Sequence, residues 1–127
     1  MAKIIFDTSI LIDCLRGNAR AVGVIERVAK REIDGFISVL TEAELYAGRE
    51  CGTDSGISKV GGLTSLFTKI LLTNEIAQQA GLFRRKYKVE IPDAIIAATA
   101  SVYDAKVWTK NIKDFVRIKE ATAEDPY

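Results

Sequence analysis

The chain has no histidine, two cysteines and two prolines. Without imidazole there is neither a histidine base nor the commonest zinc ligand, and Cys14 and Cys51 stand too far apart to form a CxxC pair. Cys14 shares a helical face with Ile10, Leu11 and Leu15, which marks it as a small buried residue rather than a reactive thiol. No disulfide or structural metal is required. With 127 residues, 48% of them hydrophobic, the chain can bury roughly two thirds of its unfolded surface in an ordinary core. Long apolar runs are missing too: no stretch approaches about 18 unbroken apolar residues, and no basic segment leads into one at the start. A cytoplasmic protein without membrane association is expected. Net charge is only +1, so any nucleic-acid partner must be met by local patches rather than by the overall field.

The stretch KIIFDTSI organises what is present. Ile4-Ile5-Phe6 is an unbroken apolar run suited to a strand buried on both faces, and Asp7-Thr8-Ser9 places side-chain acceptors before a helix that begins near Ile10. Apolar spacing predicts helices over 8–16 and 19–33, a strand at Phe36–Val39 and a third helix from Thr41 to about Glu50. Cys51 to Gly62 carries four glycines, which predicts a loop or a short irregular helix. It is no phosphate loop, because Ile57 and Ser58 separate Gly56 from Lys59. Lys69–Thr73 reads as the next strand, and Asn74–Tyr87 as a helix with Ile76, Ala77, Ala80, Leu82 and Phe83 inward. Ile91-Pro92-Asp93 opens the most apolar helix, Lys106–Thr109 is a fourth strand, and Val116–Ile118 is a candidate fifth. About 120–127 reads as a polar tail. Alternating strands and helices imply parallel pairing, hence one three-layer α/β/α domain over residues 1–127 with a central parallel sheet of four to five strands.

That topology gathers the acids. Asp7, Glu44 and Asp114 follow the carboxyl ends of strands, and Asp93 opens a helix that returns from the same edge, where open α/β sheets bind ligands. Each acid alone has a structural explanation. Asp7 can cap the first helix, Thr41 to Glu44 fits a capping box, Asp93 suits a helix dipole and Asp114 can cap a turn. Together they do not balance: a cap contributes about 1 kcal/mol, whereas carboxylates about 4 Å apart repel by about 4 kcal/mol at an effective dielectric near 20. A cation offsets that repulsion. Oxygen-only ligands select Mg²⁺ or Mn²⁺, and a metal-assisted hydrolase of phosphate esters follows.

These segments resemble a known family. KIIFDTSILID, SVLTEAELYAG, IPDAIIAATA and WTKNIKDF are similar to the successive motifs of the PIN domain, and the size and the Ile37–Thr41 segment resemble its VapC-type toxins. The resemblance implies a Mg²⁺- or Mn²⁺-dependent endoribonuclease, usually homodimeric, that acts on RNA and is inhibited by a small cognate antitoxin. It puts the family's first acid on Asp7, its glutamate on Glu44 rather than Glu42, and its central aspartate on Asp93. Asp114 is the candidate fourth ligand, although some members carry an acid where this chain has Asn111. Thr8, Ser9, Thr109 and Asn111 are the supporting polar residues. Two other readings stand beside it. A phosphatase of haloacid-dehalogenase type also begins with a strand ending in aspartate but wants a second one at Ser9, and a non-catalytic PIN-like binding module would keep the fold without the metal. The basic run Arg84–Lys88 is expected to be a solvated helix end, with an RNA grip that includes Tyr87 as the alternative. Trp108 and Phe115 are expected in the core.

Overall fold

The structure, a computed structural model, describes residues 2–127. Strand β1 (Lys3–Phe6) leads into α1 (Thr8–Leu15) and α2 (Ala19–Ala29). Next come β2 (Asp34–Ser38), α3 (Val39–Ala47), a 3-10 turn at Arg49–Cys51, α4 (Asp54–Thr64) and β3 (Thr68–Ile70). Helices α5 (Asn74–Tyr87) and α6 (Ile91–Tyr103) precede β4 (Lys106–Trp108), α7 (Ile112–Phe115) and β5 (Ala123–Glu124).

All five strands pair in parallel, in the order β3-β2-β1-β4-β5. Period-two alternation divides β1 between two cores. Ile5 packs with α5 and α6, while Ile4 and Phe6 pack with residues of α1 to α4, so helices cover both faces. Helix α6 is buried continuously from Ala94 to Ala100, and its alanines let backbones approach closely where a longer side chain would overpack. Phe115 is fully buried, and Trp108 packs edge-on against Phe6 at 5.5 Å, as expected of core aromatics. Cys14 is partly buried beside the Ile10 and Leu11 core.

Several boundaries differ from the sequence reading. Helix α2 stops at Ala29 because the chain must reverse, and Arg31 takes φ 60° to do it. The glycine-rich stretch forms a regular eleven-residue helix, α4, in which Thr53 Oγ1 accepts from Gly56 N at 3.0 Å and Val60 and Leu63 are buried. Gly56 serves close approach rather than flexibility: a Cβ there would sit 1.7 Å from the Glu50 carbonyl oxygen. Strand β3 ends at Ile70, since its ladder with β2 ends at Ser38, and Leu71 and Leu72 are exposed. Ala77 and Leu82, both expected inward, also face solvent, about 100° around α5 from buried Ile76 and Phe83 respectively. The fifth strand is not Val116–Ile118, where Val116 is exposed and Ile118 fills the core. It lies in the expected polar tail, where Val107 N donates to Thr122 O at 2.8 Å and Thr109 N to Glu124 O at 3.0 Å.

Candidate active site

The chain adds β2 and β3 on one side of β1 and returns to add β4 and β5 on the other, so strand order reverses between β1 and β4. The carboxyl ends of such a pair diverge into helices and leave a crevice. Asp7 stands there, only 8% exposed, with its amide donating to Trp108 O at 2.9 Å. It occupies the N-cap position of α1 but makes no capping hydrogen bond. Instead Asp7 Oδ2 accepts from Thr109 Oγ1 at 2.8 Å and Ser9 Oγ at 3.0 Å. These hydroxyls are themselves oriented, because Asn111 N donates to Thr109 Oγ1 at 2.9 Å and Lys110 N to Ser9 Oγ at 3.1 Å.

The capping-box reading of Glu44 does not hold. Helix α3 starts earlier, capped by Ser38, whose Oγ accepts from Leu40 N, so Glu44 lies beyond its first turn. Its carboxylate accepts from Thr8 Oγ1 at 2.8 Å, which ties α3 to α1 across the crevice. Two residues earlier, about 200° around the helix, Glu42 pairs with Lys69. Asp93 occupies the first turn of α6, with Pro92 beside it. Asp7, Glu44 and Asp93, with Thr8, Ser9 and Asn111, line a cavity of about 310 Å³ that Ile12 and Ile96 help to close. Thr109 is buried behind it. Asp114, in α7, is not on the lining.

A sequence model of the PIN domain matches residues 4–121. The chain belongs to the PIN domain family. Ribonuclease VapC19 from Mycobacterium tuberculosis is 32% identical to this PIN domain over 87% of this chain and 90% of that protein. A toxin–antitoxin complex from Klebsiella pneumoniae superposes with a TM-score of 0.81 at 31% identity over 98% of both chains. DNA-bound VapBC from Salmonella typhimurium matches the fold with a TM-score of 0.86 at 23% identity over the full length of both chains.

The electrostatics of this PIN domain concentrate on Asp93. Burial, then the charges of Asp7, Asp114, Glu44 and Glu90, push its carboxyl up to about 6. Asp114 therefore acts on the crevice through its field although it does not line it. Among the described residues, no lysine or arginine comes within 4 Å of Asp7, Glu44, Asp93 or Asp114. No group of three acids is drawn together as a ready-made metal cage among those residues. The donor chemistry nevertheless fits a hard divalent cation: the acids are oxygen-only and unpaired, and their mutual repulsion is what a positive charge relieves.

Lys110, between Thr109 and Asn111, is turned away by a device that the sequence reading missed. Lys110 Nζ donates to Asp125 Oδ1 at 2.7 Å and to the Tyr127 carbonyl oxygen, and it lies 4.0 Å from the Tyr127 ring centre. Tyr127 OH donates to Asp13 Oδ2 on α1, and burial followed by that carboxylate raises the phenol's pKa. The last residues thus brace the loop that presents Thr109 and Asn111. Nothing in their composition marks them, because each partner is far away in sequence.

Proposed function

We propose that this PIN domain, residues 1–127, is an endoribonuclease that hydrolyses RNA phosphodiester bonds and serves as the toxin of a toxin–antitoxin pair in the cytoplasm. The observation that carries the proposal is the set of acids without cationic partners around one crevice, in a chain related to a ribonuclease and to a toxin–antitoxin complex. PIN-domain ribonucleases are in general metal-dependent, and Asp7, Glu44 and Asp93 would hold Mg²⁺ or Mn²⁺ here, with Asp114 adding charge directly or through water. When bound, the cation supplies Lewis-acid polarisation of the phosphate and offsets charge that develops during hydrolysis. The other roles belong to the chain. Thr109 and Ser9 fix the rotamer of Asp7 by occupying Oδ2, and Thr8 does the same for Glu44. Asn111, neutral and on the lining, is placed to orient a phosphate oxygen or a water.

Asp93→Ala should abolish cleavage of RNA by the purified protein, and unchanged cleavage would end the nuclease reading. As a toxin, the protein forms a homodimer and is silenced by a small antitoxin whose arginine enters the crevice, so high Mg²⁺ should weaken inhibition. Light scattering that gives a monomer at micromolar concentration would reject the dimer. Failure of any small neighbouring reading frame to suppress toxicity on co-expression would reject the toxin role.

A further inference from the structure

The basic run at the end of α5 does not act as a unit. Arg84 Nη1 donates to Val89 O at 2.9 Å and lies 3.7 Å from Glu90 Oε2, so it closes the turn between α5 and α6. Lys86 is 3.9 Å from Glu120, and Tyr87 donates its hydroxyl to that same carboxylate. Tyr87 is half-buried with its ring against Phe83, which removes it from the stacking role that the sequence suggested. Arg85 and Lys88 remain. Neither has an acidic partner within 4 Å among the described residues, and both face an open depression of about 610 Å³ bounded by Gly81, Arg84 and Glu90. At Gly81 a side chain would meet nothing within 4 Å, so the floor stays clear. Lys88 takes φ 56°, a left-handed conformation that a lysine adopts at a cost and that carries its side chain off the helix path.

The depression adjoins the crevice. Glu90 forms part of its rim and stands at the N-cap position of α6, whose first turn carries the crevice residue Asp93, so the two linings meet at the start of one helix. With Arg84 and Glu90 paired, the depression presents two free cations next to a crevice whose charged lining residues are all acids. An anionic polymer held at the crevice by a bound cation would need positive charge where it leaves, and Arg85 and Lys88 offer it across an open depression.

We propose that Arg85 and Lys88 bind the phosphodiester backbone of single-stranded RNA where the strand leaves the crevice. The inference rests on the ribonuclease reading and adds a substrate subsite to it. Backbone contact without base readout makes this site indifferent to sequence. Each phosphate contact gives a slope of about 0.7 in log K against log salt on a single strand, worth about 5-fold in affinity at 0.1 M salt.

The test measures equilibrium binding of a fluorescent single-stranded RNA of roughly 12 nucleotides, without divalent metal so that it is not cut, as a function of salt. The double variant Arg85→Ala, Lys88→Ala should raise Kd about 10- to 30-fold at 0.1 M salt and lower the slope by about 1.4, while Arg85→Lys, Lys88→Arg retains both. Both side chains are exposed, so the melting temperature should stay at the wild-type value. An unchanged Kd and slope in the alanine variant overturns the proposal, including the case in which the depression serves an acidic protein partner. The two readings fail separately. Wild-type protein that cuts RNA while the alanine variant binds normally rejects the subsite alone, whereas wild-type protein that never cuts RNA but binds it through Arg85 and Lys88 rejects the nuclease reading alone.

Discussion

Replacing Asp93 by asparagine should stabilise the metal-free protein at neutral pH and abolish its activity. The carboxyl rises from 3.8 to about 6 on folding, because burial and four surrounding acids disfavour its charge. Between those values the folded state binds more protons than the unfolded one, so stability is full below 3.8 and is lost as pH rises through about 6. At about 1.36 kcal/mol per pH unit the full interval corresponds to about 3 kcal/mol. Solvent screening at a partly exposed carboxyl reduces the expected loss to about 1–2 kcal/mol. The side-chain amide of the Asp93→Asn variant carries no charge and escapes this loss. In chelator at pH 7.5 the variant should therefore melt about 3–8 °C above wild type, and the gap should close near pH 4. Divalent metal should raise the wild-type melting temperature and leave the variant nearly unmoved. The measurement is thermal unfolding by circular dichroism across pH, with and without Mg²⁺. A variant no more stable than wild type at pH 7.5, or a gap that ignores pH, would refute the assignment of repulsion to this crevice.

Three further outcomes follow from particular contacts. Asp114→Asn should raise the Mg²⁺ needed for half-maximal cleavage roughly 10-fold with recovery at saturation, and a titration that overlays wild type would leave Asp7, Glu44 and Asp93 as the ligand set. Thr109→Val removes a buried donor to Asp7 and leaves its neighbours' polar atoms in place, so urea unfolding should show a loss of about 1–3 kcal/mol. Gly56→Ala drives a Cβ into the Glu50 carbonyl and should cost at least about 2 kcal/mol, and near-wild-type unfolding would mean that the α4 start can shift freely.

Local chemistry in the sequence was enough for much of the architecture. The buried Ile4-Ile5-Phe6 run, the 3.6-residue pattern from Asn74 to Tyr87 and the Pro92 start of α6 each specify an element through neighbours within a turn or a pleat, and the structure has all three. Their alternation implies parallel pairing, which by itself brings Asp7, Glu44 and Asp93 to one edge, and the structure lines one crevice with them. Other features rest on contacts that no local pattern encodes. Strand β5 has two residues, too few for a period, and exists because β4 offers it an open edge. The hydroxyl that holds Asp7 comes from Thr109, 102 residues away, and Lys110 turns from the crevice because Asp125 and Tyr127 reach back to it. Likewise only folding divides Arg84–Lys88 into paired and free cations: Arg84 finds a local acceptor in Val89 O, but Lys86 and Tyr87 meet Glu120 only when the chain packs. Periodicity and caps are short-range and can be read along the chain, whereas the partner of a polar side chain is set by where distant backbone is brought by burial of the two cores.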